Sequence, residues 1–172
     1  MLRNDTEVAI NDLLVHCESS AQQLRHSAEL MKNHAQSALL IELAERHEQH
    51  AEELRNRLQR WGKLPDTADE DRLTVKEFKD KITALFSRQG LSAVIRHRAE
   101  EEARLAQMAD QSLRLFASPD GGQGQGQGQD THLMPPRDTH LSKEQKEQDT
   151  HQLLTQIKKD AQQAEASLRA HF

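Results

Sequence analysis

Apolar residues return in alternating steps of three and four along most of this chain, which is the spacing of one helix face. The longest clear run is Leu39 to Trp61. Its stripe takes Leu40, Leu43, Leu54, Leu58 and Trp61, and in its middle passes over His47 and then His50 or Ala51. The spacing predicts a helix from about Gln36 to Trp61, stopped at Gly62 and kept from resuming by Pro65. A first helix is expected from Asn4 or Asp5 to Lys32. Its stripe is Ile10, Leu14, Cys17, Ala21, Leu24, Ala28 and Met31. That four–three repeat is a bundle seam. Asn33 and His34 make a break short enough to join antiparallel neighbours.

Further on, an acidic loop over Asp66–Asp71 precedes a shorter helix, Thr74 to Ser87, whose apolar side is Phe78, Ile82, Leu85 and Phe86. Gly90 interrupts it. A third long helix is expected from Leu91 to Ala117, on the stripe Leu91, Ile95, Arg98, Glu102, Leu105, Ala109, Ser112 and Phe116. Arg98 and Glu102 are charges on an otherwise apolar line. Residues 118–141 read as a disordered linker, because alternating Gly and Gln offers no apolar face to bury. Asp-Thr-His occurs three times, at 130–132, 138–140 and 149–151. Composition drift accounts for it better than loop metal binding, since nothing there fixes the three imidazoles. Ser142 is the expected cap of a last helix, with Gln145 at capping-box spacing. The stripe of that helix is Leu154, Ile157, Ala161, Ala164 and Leu168, with His171 one step beyond.

Composition narrows the function classes. The 172 residues fit one domain over 1–172, and 35% apolar with 30% charged residues suits long two-faced helices. β-branched and aromatic residues are few, which disfavours a sheet. A net charge of −5, without a basic cluster among aromatics, argues against a nucleic-acid partner. There is no signal-peptide core and no apolar run of the roughly 18–20 residues that a bilayer needs. Lys158 and Lys159 are too few for a basic membrane face. The expected location is the cytoplasm. Cys17 is the one cysteine and lies on the first stripe, where a buried thiol serves as a small hydrophobe. No strand-to-helix serine elbow and no phosphate-cradling glycine loop is present.

Two antiparallel helices, a connection carrying a short helix, then two more helices is the ferritin-like order. Asn11-Asp12-Leu13-Leu14 with Cys17, Ser27-Ala28-Glu29, Ala44-Glu45-Arg46 and Ala51-Glu52-Glu53-Leu54 resemble a bacterial family of ferritin-like four-helix bundles of unknown function. The similarity runs from about Glu7 to Leu115 and more loosely over the last helix. It implies an all-α, ferritin-like four-helix bundle with a short crossover helix between helices two and three. It also implies a kinship with di-iron proteins and an association with stress responses. The Gly-Gln linker departs from that compact pattern.

Ferritin-like di-iron sites use Glu-x-x-His on two helices, because residues three apart share a face. Here Glu48 is followed three residues on by Ala51 and Glu165 by Leu168, and neither Glu42 nor Glu45 leads to a His. A standard di-iron centre is therefore not expected. If helices two and three run parallel, their starts near 36 and 91 put His47 level with Glu102. Gln22 and Asp160 or Ala161 fall at the same height. His47, Glu102, Asp160, His50 and Glu18 are the candidate members of one polar layer. As a metal site they would hold iron, manganese or zinc. As a structural layer, imidazole would donate to carboxylate and Arg98 would neutralise Glu102. His97 and Glu101 stand four apart, Glu100 reads as solvated, and His16 and His26 read as surface residues. The structural layer is the favoured reading: a non-enzymatic bundle without cofactor, acting through binding or assembly. Its long charged faces are compatible with a homo-oligomer. The competing reading is a metal-binding, redox-active relative with His47 and Glu102 as ligands.

Overall fold

Long two-faced segments separated by breakers can bury their stripes only against one another, and this chain does so. The structure is a computed structural model that describes residues 5–65, 80, 82–87, 89–117 and 143–171. Four long helices are present: α1 (Asp5–Leu30), α2 (Gln36–Arg60), α3 (Leu91–Ala117) and α4 (Lys143–Arg169). Residues 82–87 form a short helical piece ahead of α3. Among the described residues there is no strand, so the fold is all-α. The first half of the expected short helix, the acidic loop, the linker, the Ser142 cap and the first two Asp-Thr-His triplets lie outside the described residues. The third triplet lies within α4, where Thr150 is buried and its hydroxyl donates back to the Lys146 carbonyl at 2.8 Å. It is helix, not loop.

α1 and α2 are an antiparallel hairpin tied along its length. Lys63 reaches Glu7 at 3.0 Å, Arg55 pairs with Glu18, Arg25 grips Glu48 with two bonds of 2.7 Å, and the Ser37 hydroxyl donates to the Ala28 carbonyl at 3.0 Å. α2 ends in a Schellman arrangement. The Lys63 N–H bonds the Leu58 carbonyl at 3.0 Å, and Gly62, at φ +70°, bonds Gln59 at 2.9 Å. Gly90, at φ +77°, likewise closes on Phe86 at 2.9 Å just before α3.

Two apolar clusters fix the remaining directions. One joins Ile10, Leu14 and Cys17 of α1 to Leu54 and Leu58 of α2, Leu105 and Ala109 of α3, and Leu154 and Ile157 of α4. The other joins Leu24 and Met31 to Leu40 and Leu43, Val94 and Ile95, and Ala164 and Leu168, with Ile82 of the short piece beneath them. Hence α1 and α4 run one way, and α2 and α3 the other. α1 packs on α2 and α3, and α4 packs on α3 and, sparsely, on α2. α2 and α3 are parallel and face each other across the diagonal. Every apolar member of the four expected stripes is buried except Leu91, Trp61 and Phe116, which are half-buried. The two rings stack with centroids 6.4 Å apart. His171 is exposed, because α4 stops at Arg169 and the chain turns away.

A buried polar layer as the candidate functional site

Between the two apolar clusters the stripes place polar side chains instead. On α2, His47 and His50 follow Leu43 and precede Leu54, and both are buried. On α3, Arg98 and Glu102 are each 1% exposed. Both rows occur because the four–three step that aims a leucine inward aims these residues inward as well.

His47 Nε2 lies 3.1 Å from both carboxylate oxygens of Glu102. A carboxylate only accepts, so Nε2 carries the hydrogen, while Nδ1 meets no protein partner among the described residues. This contact spans the diagonal of the bundle, from α2 to α3, through the centre of the core. His50 Nε2 lies 3.1 Å from Asp160 Oδ2 on α4. The approach is poorly aligned for a hydrogen bond, and it is an ion pair only when the imidazole is protonated. Burial pulls the His50 imidazole below its usual 6.5; Asp160 opposes that and His47 adds to it. Arg98 Nη1 donates to Gln23 Oε1 on α1 at 2.9 Å. Burial lowers its guanidinium to about 10, against the pull of Glu101 and Glu102, so it remains a cation at neutral pH.

The layer therefore takes a member from every helix: Gln23, His47 with His50, Arg98 with Glu102, and Asp160. The pair read from the offset of helix starts, His47 with Glu102, is brought together. His50 and Asp160 form a second pair. Glu18 is turned to Arg55. Gln23, the neighbour of the residue expected at this height, escaped the sequence reading; its signal was that it is level with His47 beside the Leu24 stripe. His16 and His26, read as surface residues, are half-buried. The off-stripe flank of α1 is covered there, and burial lowers the His16 imidazole against the opposing charge of Glu101. Glu100 is exposed, while Glu101 pairs with Arg104 at 3.2 Å. Cys17 is fully buried, and burial raises its thiol far above the reactive range.

Chemically, two imidazole–carboxylate pairs can fix helix register or hold a proton. For a metal they supply two donors at a time. Among the described residues no three His, Cys, Asp or Glu side chains are grouped as a metal site requires. Two surface clefts lie elsewhere. One of about 440 Å³ is bounded by Leu85, Arg96 and His97, the other of about 290 Å³ by Val8, Met108 and Leu115. Neither is lined by the layer. No described helix is long and apolar enough to cross a membrane. Comparison with protein-family models, curated proteins and solved structures gives no match for this chain.

Proposed function

We propose that this chain is a non-enzymatic bundle of ferritin-like topology that works through binding or assembly, its polar layer serving register rather than chemistry. The observation that carries this is the engagement of the layer with itself. Glu102 is taken by His47, Arg98 by Gln23, and Asp160 stands against His50. A catalytic layer needs a group free to meet a substrate and an opening to reach it. The antiparallel pairs and the diagonal relation of α2 to α3 support the ferritin-like kinship. Light scattering on untagged protein across a hundredfold concentration range tests assembly. A mass that rises to a defined multiple of 19.6 kDa is expected. A monomer throughout would remove self-assembly and leave a heterologous partner.

One observation favours a second reading. Among the described residues, Nδ1 of His47 and of His50 are buried without a protein partner, and an orphaned buried polar atom costs about 1–3 kcal/mol. A metal-binding relative would use His47, Glu102, His50 and Asp160, with iron, manganese or zinc as the metal. Elemental analysis of chelator-free protein beside Glu102→Ala decides between the two. Near-stoichiometric metal lost in the variant establishes a metal centre, and its absence from both leaves the structural layer.

A further inference from the structure

The four seams of the bundle are not alike. α1–α2 and α3–α4 are close approaches, and α1–α3 is intermediate. α2 and α4 approach at few points. Small buried residues are common on both hairpins. Ser20, Ala21 and Ala28 of α1 and Ala44 and Ala51 of α2 are buried, as are Ala99 and Ala109 of α3 and Ala161 and Ala164 of α4. Small residues let backbones come near. Between α2 and α4 stand long polar side chains. Arg57 Nη1 is 3.5 Å from Asp149 Oδ2, and His50 meets Asp160. Neither contact is strong: the first is at the limit of hydrogen-bond length and the second is misaligned. The carboxylates of both are partly open to solvent, Asp149 at 33% and Asp160 at 16%.

We infer that the bundle opens as a clasp along the α2–α4 seam, the two hairpins turning about the α1–α3 seam, with Arg57–Asp149, His50–Asp160 and the diagonal His47–Glu102 bond as the fastening. Opening parts Leu54 and Leu58 from Leu154 and Ile157 while leaving each hairpin whole. Sub-global opening of this kind follows the seam with the fewest apolar contacts. The inference concerns motion within one chain and holds whichever partner the bundle has.

Charge reversal tests it in the full chain. Arg57→Glu sets like charges across the seam, and adding Asp149→Arg restores attraction in the opposite sense. Spin labels on Glu53→Cys and Gln156→Cys report α2–α4, and labels on Asp12→Cys with Gln111→Cys report α1–α3. All four positions are exposed, and Cys17 is buried and stays unlabelled. In Arg57→Glu the 53–156 distances should lengthen and broaden while the 12–111 distances hold, and the double reversal should bring them back. Equal change at both pairs, or none at 53–156, would overturn the clasp. Should Arg57→Glu fail to fold, Asp149→Asn with amide exchange serves. Exchange at the α2 and α4 positions of the seam should quicken by about threefold relative to α1 and α3, the scale of a partly exposed ion pair; uniform quickening would equally overturn it.

Discussion

Glu102 is held by one imidazole and sits one helical turn from a buried guanidinium. Removing it leaves the His47 Nε2 hydrogen without its acceptor and takes away one of the two carboxylates, with Glu101, that favour the buried Arg98 cation. Leaving a buried donor unsatisfied costs about 1–3 kcal/mol, and more beside a buried charge. Glu102→Ala should lower the urea midpoint accordingly, and Glu102→Gln, which keeps an acceptor but not the charge, should fall between it and the native protein. His50 and His16 give a second prediction. Both are pulled below 6.5 in the folded state by burial. Below pH 6.5 the unfolded chain therefore binds more protons than the folded one. Stability is full above 6.5 and is lost as the pH falls through the window beneath it. Melting temperatures should rise with pH from 5 to about 6.5 and level off above it, and His50→Gln should flatten part of that rise. Glu48 and Asp110 are lowered by Arg25 and by Lys158, and their contribution is lost only in more acid solution. The His47–Glu102 contact was legible in the sequence because period and helix starts set height along parallel helices. The partner of Arg98 was not. Gln23 and Gln22 differ by a 100° turn about the α1 axis, and a layer count fixes height rather than azimuth.

At the scale of elements, the stripes gave the long helices because a single buried face repeats over many turns. Their ends follow from local chemistry. Gly62 halts α2 because its left-handed φ allows the Lys63 and Gly62 N–H groups to close on Leu58 and Gln59. Nothing stands within 4 Å of an added Cβ there. The cost of Gly62→Ala is thus conformational alone, about 1–2 kcal/mol, and Gly62→Asn should cost less. Thermal unfolding of the two variants measures the difference. Seam widths were not legible, because the stripe positions say which residues face inward but not which neighbour each one meets. Ala28 and His47 both lie on a stripe, yet the Ala28 carbonyl is met by Ser37 within the first hairpin and His47 reaches across the diagonal to Glu102.

For the whole molecule, the order of helices matters more than their number. With α2 and α3 parallel across the diagonal, the connection between them must run the length of the bundle, whereas α3 and α4 are antiparallel neighbours. The C-terminal half of α3 and the N-terminal half of α4 share one apolar cluster with Cys17 and Leu58. Ala117 and Lys143 therefore lie at the same end, and residues 118–142 are far more chain than that gap requires. Closure entropy grows only as the logarithm of length, so removing Gly121–Gln129 from a connection of roughly 25 residues should stabilise the fold by about 0.4 kcal/mol. The small size of that gain is the informative part. If α4 packs on its own α3, the deletion leaves the native mass unchanged and moves the urea midpoint slightly upward. If α4 is exchanged between copies, the shortened connection cannot serve both arrangements equally, and the mass distribution shifts. Light scattering and urea unfolding of the deletion beside the full chain separate the two, and an unchanged mass with a slightly higher midpoint is expected.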